Sequence, residues 1–236
     1  MDILYTLKEC QSCEELVYSL RSLANLPHNK VFIVGGCPNN IDKGKIVHIP
    51  SKQKGTKWQN STANVKLACM DERLSDDFIL MNDDFFILKP IQDVKIELNL
   101  QQGTVKKVYD YYFARSASET PWCRGMRQTG ELLKKQGILE PLSYELHIPF
   151  VMNKHKLLSL FDIEGVKDIN CLHKRTLYGN LFSPDATYME DVKFNGDVTF
   201  NENKYNKFLS CSDGGFNSIK RFLSNKFPKK SVYEKE

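Results

Sequence analysis

The sequence predicts an α/β fold: a mostly parallel central sheet flanked by helices, with a helical insertion and a C-terminal hairpin and helix. Three observations carry this expectation. Short apolar runs and amphipathic stretches alternate through the first part of the chain in the order strand, helix, strand, strand, helix, strand, which favours a sheet covered on both faces. The run Phe78-Ile79-Leu80-Met81 has no polar alternation, as a strand buried on both sides requires. The second half loses this rhythm and reads as helices and a hairpin.

Each element has its own local reason. Ile3 to Thr6 is a short strand, and Ser12-Cys13-Glu14-Glu15 has the spacing of a capping box, with Ser at the cap and Glu three residues on. Cys13, Leu16, Val17, Leu20, Leu23 and Ala24 then recur at helical spacing until Pro27. Lys30 to Val34 is a buried strand that stops at Gly35-Gly36; no helix-opening phosphate signature comes after it, so the glycines read as a plain turn. Ile46 to Ile49 is a third strand, Ser51 to Lys57 a polar loop, and about Thr62 to Glu72 a second helix. Beyond the apolar strand, Thr104 to Ala114 and Gly125 to Gln136 read as helices. Asn153 to Phe161 is another, introduced by the extended segment Tyr144 to Val151. Asn195-Gly196, flanked by alternating apolar residues from Val192 to Phe200, signals a tight hairpin. Phe216, Ile219, Leu223 and Phe227 mark a closing helix before the basic pair Lys229-Lys230.

The chain of 236 residues is 41% hydrophobic, with a formal net charge of +4, and is long enough for one sizeable core. It reads as a single domain over residues 1–236, with no repeat and no low-complexity linker. The modest positive charge permits an anionic ligand without demanding one. No apolar stretch is long enough to span a bilayer, and the first residues lack a secretory signal, so a cytoplasmic location is expected. Seven scattered cysteines, an odd number, fit reduced thiols rather than a disulfide framework.

The chemistry is expected at Asn82-Asp83-Asp84. If Phe78 to Met81 is a central strand, these residues lie at its C-terminal end, where open α/β sheets bind ligands. Adjacent carboxylates there repel each other and lose solvation unless a cation or hydrogen-bond donors hold them. Mg2+ or Mn2+ suits this need, since both prefer oxygen ligands and share one or two carboxylates with substrate phosphates. Asp76-Asp77 is equally acidic but precedes the strand, so it reads as a turn.

Several segments then resemble the Stealth family of sugar-phosphate transferases: Ile3 to Glu9, Glu15 to Leu23, Val31 to Gly36, Asn60 to Leu74, "SDDFILMNDDFF" from Ser75 to Phe86, and Glu145 to Leu157 with its His-x-Pro. The resemblance implies a GT-A-like nucleotide-sugar transferase fold, with residues 1–100 as the nucleotide- and metal-binding half and residues 101–236 on the acceptor side. It implies a metal-dependent glycosyltransferase or sugar-1-phosphate transferase using a nucleotide sugar, by analogy a UDP-sugar, and a glycan or other hydroxyl acceptor. Asp83 and Asp84 are the expected metal ligands, Tyr5 and Thr6 meet the base or ribose, and Arg21 contacts phosphate. His147 is an added metal ligand or the base for the acceptor hydroxyl, and Arg175 clamps an oxyanion. Trp58 and Trp122, expected in loops, are candidates to stack on a sugar. Two other readings keep the same fold, the first with the same donor site and the second with no need of a metal. One is a DNA-modifying glycosyltransferase, for which Lys220, Arg221, Lys226, Lys229 and Lys230 supply a basic surface. The other is a non-catalytic nucleotide- or sugar-binding module.

Overall fold

The computed structural model describes residues 1–235. The strands are β1 (Asp2–Leu7), β2 (Val31–Gly35), β3 (Val47–Ile49), β4 (Asp77–Met81), β5 (Phe85–Ile87), β6 (Leu100–Gln101), β7 (Phe150–Asn153), β8 (Thr187–Tyr188), β9 (Lys193–Phe194) and β10 (Phe208–Cys211). The α-helices are α1 (Glu14–Ser22), α2 (Lys57–Cys69), α3 (Val94–Glu97), α4 (Val105–Phe113), α5 (Pro121–Lys135), α6 (Lys154–Ser159), α7 (Lys174–Phe182) and α8 (Phe216–Lys226). The main sheet has the order β3-β2-β1-β4-β7; its first four strands are parallel and β7 runs antiparallel to β4. The mixed α/β class with a mostly parallel central sheet is therefore the observed one.

Alternation along β1, β2 and β4 divides the core between the two faces of this sheet. Leu4, Phe32, Val34, Phe78 and Leu80 pack with Val65 and Ala68 of α2 and with Leu157 and Leu177. Ile3, Tyr5, Ile33, Ile79 and Met81 pack with Leu16 and Leu20 of α1. Both faces are dry, so the strands need no polar side, as their sequences indicate. At the end of β2, Gly35 has φ +101°, and a Cβ there would lie 2.1 Å from the Leu7 carbonyl oxygen. Glycine is required because the β2 end closes directly onto the β1 end.

A second sheet, β5-β10-β9, receives the chain as it leaves the apolar strand. The Phe85 amide bonds the Asn82 carbonyl at 3.3 Å, so Asn82 to Phe85 is a tight turn leading from β4 straight into β5. β10 pairs with β5 in antiparallel register, Ser210 opposite Phe85, and β9 lies parallel to β10 with Lys193 beside Ser210. The two acids thus occupy the seam between two sheets.

Three local expectations change. The Ser12 capping box does not form: the cap of α1 is Cys13, with no side-chain capping bond. The second helix begins earlier than Thr62, because Thr56 and Gln59 make the reciprocal capping box that starts α2 at Lys57. This places Trp58 in a helix, as α5 does Trp122. The Val192 to Phe200 hairpin is absent. Gly196 does turn the chain at φ +85°, but Lys193–Phe194 pairs with β10 instead of with the residues after the turn.

Candidate active site

The turn at the end of β4 forms the floor of a cleft of about 450 Å³, walled by Lys8, Cys13, Glu15, Cys211 and Asp213 among others. Asp83 Oδ2 accepts from the Cys13 thiol at 3.4 Å, and Asp84 Oδ2 accepts from the Ser210 hydroxyl at 3.2 Å. Burial raises both carboxyls above the usual aspartate range. Those hydrogen bonds and the nearby charges of Lys8 and Lys193 only partly offset it, and Asp83 raises Asp84 further. The thiols of Cys13 and Cys211 are pushed up by burial and by these acids, so they are held as neutral thiols. All seven cysteines are free.

His147 reaches the same place from the other side. It precedes β7, and the antiparallel register of β7 on β4, Phe150 opposite Leu80, carries the Leu146 to Pro149 segment past the acid turn. Asp191 grips His147 twice, accepting its backbone amide at 2.9 Å and its Nδ1 at 2.7 Å. Lys193 Nζ lies 3.3 Å from Nε2. The amine donates to Nε2, which leaves Nδ1 to carry the proton toward Asp191. Burial alone raises the Asp191 carboxyl, but its bonds to His147 outweigh this and hold it below the usual range. The Phe85 ring meets the imidazole edge to face at 6.2 Å.

Arg175 works behind this surface. It is buried, its Nη1 donates to the carbonyls of Leu146 (2.8 Å) and Ile148 (3.1 Å), and its guanidinium lies 5.1 Å from the Phe85 ring centre. It holds both neighbours of His147 and the residue after Asp84, so it is a positioning residue rather than the expected oxyanion clamp. Tyr5 is also away from the cleft: it is fully buried under α1, its hydroxyl 2.9 Å from Ser19 Oγ. Thr6 is a half-buried strand residue paired with Val34, and the cleft instead begins at Leu7 and Lys8. Arg21 points to the C-terminal segment, binding Glu234 through Nε (2.9 Å) and Nη2 (2.7 Å) and the Phe227 carbonyl through Nη1. Each of its three nitrogens already donates to a protein partner, and Arg21 does not line the acid cleft.

The structure therefore brings His147 near the Asp83-Asp84 turn with Arg175 buried behind them, and sets Tyr5, Thr6 and Arg21 apart. It adds Asp191, Lys193 and Ser210, which the sequence did not single out. Lys193 and Ser210 enter through pairing of β5, β10 and β9, and no local pattern signals it.

Among the described residues no group of three or more His, Cys, Asp or Glu side chains is placed to hold a metal ion. The donor set still fits a magnesium- or manganese-type ion, which takes one or two carboxylates and completes its shell with water and phosphate oxygens. The charge balance of the cleft agrees. Asp83, Asp84, Asp213 and Glu15 face it against Lys8, so a diphosphate entering without a cation meets net negative charge.

An α/β scaffold with a paired-acid turn at a central strand end and a histidine held beside it defines this site. No family model and no curated protein matches the chain. Among solved structures the chain is similar to the galactosyltransferase LgtC in complex with donor and acceptor sugar analogues, at 14% identity and a TM-score of 0.41, over 83% of this chain and 76% of that one. It is also similar to the apo-form glycosyltransferase GlyE of Streptococcus pneumoniae TIGR4, at 11% identity and a TM-score of 0.36, over 95% of this chain and 50% of that one. These likenesses are distant and assign no residue a role.

Proposed function

We propose that the protein is a metal-dependent transferase that moves a sugar, or a sugar phosphate, from a nucleotide sugar to a hydroxyl acceptor. The observation that carries this is the Asp83-Asp84 turn. Two carboxyls are raised by burial at a strand end, their side-chain hydrogen bonds come from a thiol and a hydroxyl, and they face a cleft that Glu15 and Asp213 also line. When bound at Asp83 and Asp84, Mn2+ or Mg2+ supplies charge neutralisation for the diphosphate and its leaving group.

The chain's own residues account for the proton. Asp191 fixes the imidazole of His147 with Nε2 outward, and the acceptor hydroxyl gives its proton to Nε2 as its oxygen bonds to the donor. In sugar transfer the new bond is to the anomeric carbon and the nucleoside diphosphate leaves with the electron pair. In sugar-phosphate transfer the new bond is to the sugar-bearing phosphorus and the nucleoside monophosphate leaves. This step requires Lys193 to give up its contact with Nε2, and its positive charge, which already acts on Asp84, then helps to balance the acid turn. UDP-sugars are the first donors to try, on the resemblance of the sequence blocks.

The test is a panel of nucleotide sugars, UDP-sugars first, with Mn2+, read by the nucleotide released. UDP identifies sugar transfer and UMP identifies sugar-phosphate transfer. No release from any nucleotide sugar, with pyranosides present or absent, contradicts the proposal.

A further inference from the structure

A second cleft, of about 380 Å³, is lined by His147 and Lys193 and shares no lining residue with the acid cleft. It falls within the range of small-ligand pockets, about 300–1,000 Å³. Its walls come from the helical part of the chain, which the nucleotide cleft does not use: Tyr112 at the end of α4, Thr120 and Trp122 at the start of α5, and Arg115 at the rim. His147 and Lys193 line it together with Cys123, Glu145 and Asn195, and the charges of the same His147 and Lys193 act on Asp84, which links this pocket to the acid turn.

Trp122 is built as a fixed platform. Thr120 caps α5 by accepting the Cys123 amide, with Pro121 in the first turn, which sets the helix start. The indole meets Tyr112 edge to face at 4.7 Å and His173 at 4.7 Å, and its backbone carbonyl is 3.0 Å from His173 Nε2. His173 is buried and lies 3.6 Å from Glu145, whose carboxyl is itself held down at about 2: burial opposes the charge, but His173 and the neighbouring cations outweigh it. The indole and the Tyr112 ring remain only half-buried and open to the pocket. An aromatic wall with hydroxyl and amine groups around it matches a pyranose, which offers an apolar face of C–H groups and a rim of hydroxyls.

We infer that this pocket is the acceptor subsite and takes the end of a saccharide, its ring against Trp122 and one hydroxyl directed at His147 Nε2. The inference rests on the transferase reading, and it has its own readout. The chain has two tryptophans, so Trp58→Phe, a change in α2 outside both clefts, leaves Trp122 as the sole indole emitter. In that background, methyl β-D-galactopyranoside, methyl β-D-glucopyranoside, N-acetylglucosamine and cellobiose are titrated with no donor or metal present, with glycerol as control. A saturable change in emission with at least one pyranoside and none with glycerol is expected. No saturable change with any of them overturns the inference, whatever the donor panel shows.

A kinetic arm separates stacking from mere support of the fold. For an active donor, Trp122→Ala raises the acceptor KM about tenfold or more, the equivalent of about 1.4 kcal/mol, with donor KM unmoved. Trp122→Phe recovers part of the loss. An unchanged acceptor KM in Trp122→Ala, or a rise in donor KM alone, overturns the assignment. Absence of nucleotide release in the unmodified protein, with pyranoside binding intact, instead contradicts the transferase reading.

Discussion

Asp84 carries the largest expected effects of any single side chain. Its carboxyl is raised by burial and by Asp83, so the folded state holds a proton to higher pH than the unfolded chain does. The stability this provides is full below the unfolded aspartate value of about 3.9 and is lost as pH rises through the raised folded value. At neutral pH and without metal, Asp84→Asn should therefore be the more stable protein, by about 1 kcal/mol or about 2–4 °C in Tm for a chain of this size. The gap should close toward pH 4, and thermal melts in chelator across that range check it. The same variant should lose turnover, an exchange of stability for function at a buried carboxyl. His147→Ala should lower kcat by about 10²–10⁴-fold if the imidazole takes the acceptor proton. Asp191→Asn should cost part of that and shift the pH profile of kcat/KM, because it alters the group that orients the ring.

Arg175 joins two elements, and its prediction belongs to them. It ties the Leu146 and Ile148 carbonyls before β7 to the Phe85 ring at the start of β5. Lysine offers a single point of donation in place of a planar fork, so Arg175→Lys should cost about 1.5–3 kcal/mol in urea unfolding. It should also lower kcat with little change in donor KM. The strands that hold these groups were legible in the sequence, since Phe78 to Met81 and Val31 to Val34 are apolar enough to require burial on both faces. The placement of Asp83 and Asp84 came from that burial alone. Elements fixed by distant partners were not legible. Asn195-Gly196 has the chemistry of a hairpin turn and Gly196 does turn, yet β9 finds its partner in β10. Asp191 and Lys193 were hidden with it, because they meet His147 across separations of 44 and 46 residues that no local pattern encodes. Arg21 and Tyr5 were misplaced for a related reason: a strand or helix position does not say whether the side chain finds a protein partner first.

At the scale of the whole molecule, the C-terminal segment ties back onto the first part of the chain. The C-terminal segment returns across α1, where Glu234 pairs with Arg21, Tyr233 lies 2.7 Å from His28 Nε2, and Ile41 bridges to Glu234. Burial raises the Glu234 carboxyl, but Arg21 and the Ser231 donors outweigh it and hold it below the usual glutamate range. Its stabilisation is full above the unfolded value of about 4.3 and disappears as pH falls through the lower folded value. Glu234→Gln should therefore lose about 2 kcal/mol at neutral pH and converge with the unmodified protein in acid, as urea unfolding at a series of pH values can show. Between the two halves of the chain, strands contributed by both build each larger sheet, and the acid turn lies at their seam. The central claim is that this seam binds a metal and a diphosphate together, and the direct measurement is the thermal shift produced by UDP with and without Mn2+. UDP and Mn2+ together should raise Tm by several degrees, at a hundredfold excess over Kd about 2.7 kcal/mol, while UDP in chelator should give no shift. Equal stabilisation by UDP in chelator, or no shift with both present, contradicts it.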